Sequence, residues 1–396
     1  MTTRFKATIQ PEVFKWARES ARLELAVVAE KLGVEVDTVK AWERGDDRPS
    51  IAKLRKAAEL FRRPLAVMYL PEPPLSFQPM HDFRRLPEVG GGQYSPELAY
   101  EMRLAHQRRE IALEAVTQRD EKPQPVPFSV DLKDNPEAAG STIRDALGVD
   151  YETQSAWRED RVAFHGWRAR LEDQGVLVFQ ASRVDSSEVS GFAFYADVLP
   201  FIVVNRKDSW GRRVFSLLHE VVHLALHRSG VSDFDGIGPR NEIDQQVEVF
   251  CNKVAAAALM PRERFLSETI LQQNPGRNEW SDAEIAELAR IYAVSREAVV
   301  RRLLTLGRAT EDFYARKRAQ YVREYVARKI REKEKRGDQG IPRNMPRETL
   351  SDLGRPLVGL LLSQYHADRL SLSELSGFLG VKARHIDGIE RALVGG

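Results

Sequence analysis

Residues 214–227 read VFSLLHEVVHLALH and place the pattern H-E-x-x-H at His219, Glu220 and His223. On a helix, side chains four apart share a face, so the two imidazoles can aim at one ion. Glu220 sits about a third of a turn round, close enough to reach a water held by that ion. Zinc brings the pKa of bound water to about 7, and a neighbouring carboxylate can then take its proton. The remaining positions, Val214, Leu217, Leu218, Val221, Val222, Leu224 and Leu226, are apolar. Two histidines and a glutamate inside such a segment are costly unless paired or bound to metal. The pattern predicts a buried helix over residues 212–227, with His219 and His223 as zinc ligands and Glu220 as general base.

A hydrolytic zinc needs a third protein ligand and an open position. A third histidine six residues beyond His223 is excluded, because Ser229 stands there. A carboxylate from a following helix is the natural substitute. Glu248 heads EVFCNKVAAAALMP, an alanine-rich segment ended by Pro261, and shares a helical face with Asn252. Glu242, Asp244 and His227 are weaker candidates; His227 lies one turn past His223 and points beyond the ion. Cys251, among alanines, reads as a small core residue.

The whole chain has 396 residues, a formal net charge of +2, 42% hydrophobic and 30% charged residues, and one cysteine. At about 150 residues per domain, two or three domains are expected. A single cysteine excludes a disulfide framework, a four-cysteine zinc ribbon and an iron–sulfur cluster. No run of about 18 apolar residues occurs, and the first ten residues lack a signal-peptide core, so a cytoplasmic protein without a membrane partner is expected.

A second motif lies near the N-terminus. Leu25, Val28, Ala29 and Leu32 recur at helical spacing, and Gly33 stops that helix. A second short helix begins near Thr38, with Asp37 as its expected cap, and ends at Gly45; Ser50 and Ile51 open another. Helix, glycine turn and helix is the geometry that sets one helix in the DNA major groove. The exposed face of the second helix carries Asp37, Thr38, Lys40, Glu43 and Arg44. Thr38, Lys40, Arg44 and the following Arg48 are the candidate contacts to double-stranded DNA. Residues 1–64 hold fourteen Lys and Arg against ten Asp and Glu, a local charge of +4 that suits a phosphate-facing surface.

The run LAVVAEKLGVEVDTVKAWERGDDRPS, with its W-E-R-G and R-P-S endings, resembles the XRE (lambda-repressor-like) DNA-binding family. From about Ala156 to Pro261 the chain resembles the ImmA/IrrE family of zinc metallopeptidases, on LEDQGVLVF, VSGFAF, PFIVVNRKDSWGRRVFSLLHEVVHLALH and VEVFCNKVAAAALMP. The segments RRPLAVMYLPEPP and DFRRLP match the longer architecture that joins both. The resemblance implies a thermolysin-like core with a small sheet, His219 and His223 as zinc ligands, Glu220 as base and Glu248 as third ligand. It also implies a regulator that cleaves a repressor, or a member of a toxin–antitoxin pair. Cys251 and Val254 depart from the family's frequent alanine and phenylalanine.

The expected fold is α+β and mainly helical. A five-helix helix-turn-helix domain spans residues 1–70, and a proline-rich linker with a connecting helix (95–118) spans 71–139. The metallopeptidase domain spans 140–275 and a helical region 276–396. Strands are predicted at 176–181, 189–195 and 200–205, helices at 157–173 and 242–259. The strand at 200–205 is a candidate edge for an extended peptide, with Asn205, Arg206 and Arg213 flanking the cleft. Residues 308–347 hold thirteen basic against six acidic side chains and read as a solvated helix face. The expected activity is zinc-dependent cleavage of a repressor or partner protein. The competing expectation is a non-proteolytic transcription factor or antitoxin bound to a toxin. A homodimer is expected from the half-site geometry of such DNA readers.

Overall fold

A computed structural model describes residues 6–74, 94–118, 124–232, 242–336 and 344–395. Most of the proline-rich connector, the Gly90–Gly92 joint and the breaks at Gly337, Gly340 and Pro342 lie outside the described residues. The chain divides into two compact units, residues 1–104 and 105–396.

The first unit holds helices α1 (Pro11–Ser20), α2 (Leu25–Leu32), α3 (Val36–Arg44) and α4 (Ile51–Phe61), then a 3-10 turn at Leu65–Tyr69. Phe14 sits at its centre, edge-on to Trp42 at 5.9 Å and to Phe61 at 5.2 Å. Gly33 ends α2 at φ 62° and Gly45 ends α3 at φ 84°, left-handed conformations that a side chain resists. The expected cap of α3 is corrected: the helix starts two residues earlier, with Glu35 in the cap position and Asp37 inside the first turn. There the carboxylate still favours the positive end of the helix. Ser50 does cap α4, accepting from the Lys53 amide.

In the second unit a four-stranded sheet, in the order β1-β3-β2-β4, lies within helices. β1 (Leu177–Ala181) runs parallel to β3 (Phe201–Asn205); β2 (Gly191–Phe194) is antiparallel to both β3 and β4 (Gly230–Ser232). The expected edge role of 200–205 is therefore overturned: β3 is interior, and its backbone groups are taken by β1 and β2. The helix expected at 157–173 is corrected at its start: it begins at Asp160, because Arg158 adopts φ 39°, which no helix continues, and it then runs unbroken to Asp173. In chain order the helices here are α5 (Pro96–Thr117, begun in the first unit), α6 (Pro136–Ala146), α7 (Tyr151–Ala156), α8 (Asp160–Asp173), α9 (Trp210–Ala225) and α10 (Glu242–Leu259).

Helix α9 is apolar on almost every side and buried from Arg213 to Ala225. Helix α10 lies beside it and against α6, where close approach needs small residues. A Cβ on Gly140 would meet the Ala258 nitrogen at 2.8 Å and the Ala257 Cβ at 2.9 Å. The last carbonyls of α10 and the next residue are each given a donor: Arg144 to Ala258 (2.7 Å), Gln154 to Leu259 (2.9 Å) and Arg302 to Met260 (2.9 Å). These buried bonds satisfy groups that a helix end leaves orphaned. Arg302 also holds Glu137 of α6 through two bonds of 2.8 and 2.7 Å.

The same apolar core takes in Ile285, Leu288, Val299, Val300 and Leu303. These belong to α13 (Asp282–Tyr292) and α14 (Arg296–Thr305), which follow two short turns of helix, α11 (Arg262–Leu266) and α12 (Thr269–Gln272). Then come α15 (Glu311–Arg336), α16 (Met345–Leu353), α17 (Arg355–His366), α18 (Leu372–Leu379) and α19 (Ile386–Val394). Gly140→Ala is expected to destabilise the chain by about 1–3 kcal/mol, the usual effect of overpacking. Urea unfolding checks it, and an unchanged midpoint would show that α6 and α10 are not in tight contact.

Candidate metal centre

The two histidines of α9 and the glutamate of α10 converge. His219 Nε2 lies 3.2 Å from His223 Nε2 and 3.3 Å from Glu248 Oε2, and His223 Nε2 lies 3.4 Å from Glu248 Oε1. Bonds of about 2.0–2.1 Å at tetrahedral angles set donor atoms about 3.4 Å apart, so these separations fit one zinc ion. The carboxylate straddles, giving a different oxygen to each imidazole. His219 Nδ1 is 3.2 Å from Asn252 Oδ1, a bond that fixes the ring and leaves Nε2 facing the other donors. All three donor residues are buried.

The electrostatics follow from that crowding. Burial works to lower the His219 pKa, but hydrogen bonding to Glu248 and the charges of Glu248 and Glu220 outweigh it and the pKa is raised. Burial works to raise the Glu248 carboxyl, yet its bonds to His219 and His223 hold it far below the ordinary carboxylate range. The result is a largely buried carboxylate whose ionised form is favoured by the groups it would share with a cation.

Glu220 is fully buried beside the sheet. A Cβ on Gly191 would meet its Oε1 at 3.1 Å and its Cγ at 3.2 Å, with the Val203 carbonyl at 3.0 Å. Gly191 thus gives the carboxylate its room. The sequence reading missed this residue, although a glycine inside a strand pattern signals close approach. Cys251 is core, as expected, but it also borders the centre: its Sγ and a ring nitrogen of each histidine lie within 4.8 Å of one another. Burial pushes its thiol pKa well up.

His227 is exposed and stacked on Tyr195 at 4.7 Å, away from the donors. Ser229 accepts a bond from the Tyr195 amide at 2.9 Å. Asp244 is on the first turn of α10, and Glu242 opens that helix. The residues expected to flank a cleft are corrected. Asn205 is buried and donates to the Val189 carbonyl at 2.9 Å. Arg213 donates to Asp208 (2.8 Å) and Gln180 (3.0 Å), and Arg206 bonds Asp352 at 2.9 Å. All three tie the loop before α9 to its surroundings.

In the first unit, Lys40 and Arg44 are exposed on α3, paired with Asp37 (3.1 Å) and Asp46 (2.7 Å). Thr38 is half-buried and Arg48 exposed. Glu43 leaves the expected DNA-facing set, because Arg18 of α1 holds it at 2.5 Å with both side chains largely covered.

Residues 171–304 match a sequence-family model described as the IrrE N-terminal-like domain of the Peptidase M78 family. Residues 14–68 match one described as a helix-turn-helix. No curated protein matches the chain. The chain thus carries an XRE-type helix-turn-helix domain at its N-terminus and an IrrE-like Peptidase M78 domain further on.

Proposed function

We propose that this chain is a DNA-binding regulator whose IrrE-like domain is a zinc-dependent endopeptidase acting on a repressor or another partner protein. The observation that supports it most is the set of three buried donors, 3.2–3.4 Å apart, next to a buried glutamate. His219 and His223 would hold the zinc through Nε2 and Glu248 through its carboxylate. Zinc, when bound, polarises a carbonyl and acidifies a water. Glu220 takes the proton of the attacking water and returns one to the leaving amine. Asn252 keeps the His219 ring in place. Among the described residues β4 pairs only with β2, so its other side is where an extended peptide would add.

Thr38, Lys40, Arg44 and Arg48 would contact DNA. The ion pairs of Lys40 and Arg44 are exposed and weak, about 0–1 kcal/mol each, so both cations exchange readily for phosphates. A second reading, a closed structural metal site in a non-proteolytic regulator or antitoxin, draws on the nearness of Cys251, which would supply a fourth donor.

Glu220→Gln is expected to lower cleavage about 10²–10⁴-fold while zinc content persists. New protein N-termini, compared between cells making the parent chain and this variant, measure it; an identical set in both would overturn the peptidase reading. Glu248→Ala is expected to lose zinc by elemental analysis, whereas Cys251→Ala keeps it; the reverse pattern favours the structural site. Gly191→Ala is expected to reduce turnover with zinc retained, since its methyl displaces the Glu220 carboxylate. Arg44→Ala is expected to weaken DNA binding and reduce the slope of log affinity against log salt by about 0.9, read from binding at several salt concentrations.

A further inference from the structure

A cavity of about 600 Å³ opens between α8, the start of α9 and the C-terminal helices α16 and α19. Its walls include Arg161, His165, Arg206, Trp210, Arg347 and Arg355. The metal centre does not use it: Trp210 is the first residue of α9, and His219 stands about 14 Å further along that helix by its rise. The volume is that of an ordinary small-molecule site.

The charges lining it are not balanced. Arg168 is spent on Glu172 at 2.8 Å, and Arg206 on Asp352 at 2.9 Å and Glu348 at 3.4 Å. Arg161 and Arg347 have no carboxylate partner among the described residues. Arg161 instead lies 5.9 Å from the Trp210 ring, and Arg213 covers that ring at 4.0 Å. Guanidinium groups bind phosphate through paired donors. Trp210 is also flanked by Phe164 at 5.6 Å and His165 at 5.7 Å, and the exposed ring of His165, which lines the cavity, offers a face for a flat ring. Glu172 and Glu348 also line the cavity, which disfavours a long polyanion and suits a single phosphate group.

We propose that this cavity binds a mononucleotide, with Arg161 and Arg347 on the phosphate and His165 against the base. The site joins the helix that carries the metal ligands to helices near the C-terminus, so its occupant bridges the two. Binding does not depend on the peptidase reading, and its test does not use cleavage.

The test is calorimetric titration of the full chain with AMP, GMP, CMP and UMP, and with orthophosphate as the ring-free probe. At least one mononucleotide is expected to bind one-to-one, more tightly than orthophosphate. Arg161→Gln combined with Arg347→Gln is expected to weaken it at least tenfold, with thermal unfolding and zinc content unchanged. The charge-matched pair Arg323→Gln with Arg369→Gln, both exposed elsewhere, is expected to leave it intact. The proposal is overturned if none of the four binds at millimolar concentration, if orthophosphate binds as well as they do, or if the control pair weakens binding equally. Loss of duplex DNA affinity in the Arg161 and Arg347 variant, with no loss of mononucleotide binding, would assign these arginines to DNA instead.

Discussion

Three largely buried polar side chains meet between two helices. His219 and His223 come from a helix otherwise packed with valine and leucine, and Glu248 comes from a helix rich in alanine. An isolated carboxylate in such a place would be strongly disfavoured. Here the two imidazoles favour its ionised form, which requires the two helices to keep their register. Most of the surrounding architecture serves that requirement.

The register is set from the far end of α10. Arg144, Gln154 and Arg302 cap its last carbonyls, and the small residues facing Gly140 let α6 approach closely. At the other face of α9, the sheet supplies Gly191, whose missing side chain leaves space for Glu220. Loss of any of these contacts would shift donors that tolerate little movement. The arrangement explains why helices beyond α9 and α10 share their core: α13 and α14 back the segment from which Arg302 reaches Met260.

The two units carry different physical problems. In the helix-turn-helix unit Lys40 and Arg44, the cations proposed to meet DNA, are exposed and only loosely paired, as would suit an exchange of one anion for another. In the second unit His219, His223 and Glu248 are buried and in contact with one another. Arginine serves both ends of that range. Arg18 locks Glu43 inside the first unit, while Arg161 and Arg347 line a cavity of the second with no carboxylate partner among the described residues.

Much was legible in the residues themselves. The four-residue spacing of His219 and His223, the strand patterns at 176–181, 189–195 and 200–205, and the glycines at 33 and 45 are local signals, and periodicity or backbone sterics suffice to read them. The face of α10 that meets the histidines was legible too, since Glu248 and Asn252 share it by spacing. Tertiary structure alone decided the rest, because it depends on which distant segments meet. It put β3 inside the sheet and denied it an edge, turned Asn205, Arg206 and Arg213 inward as loop anchors, and drew Glu43 away from DNA to Arg18. It also chose Glu248 to face the histidines and set Cys251 nearby, a choice between side chains one turn apart that only the packing angle of two helices can make.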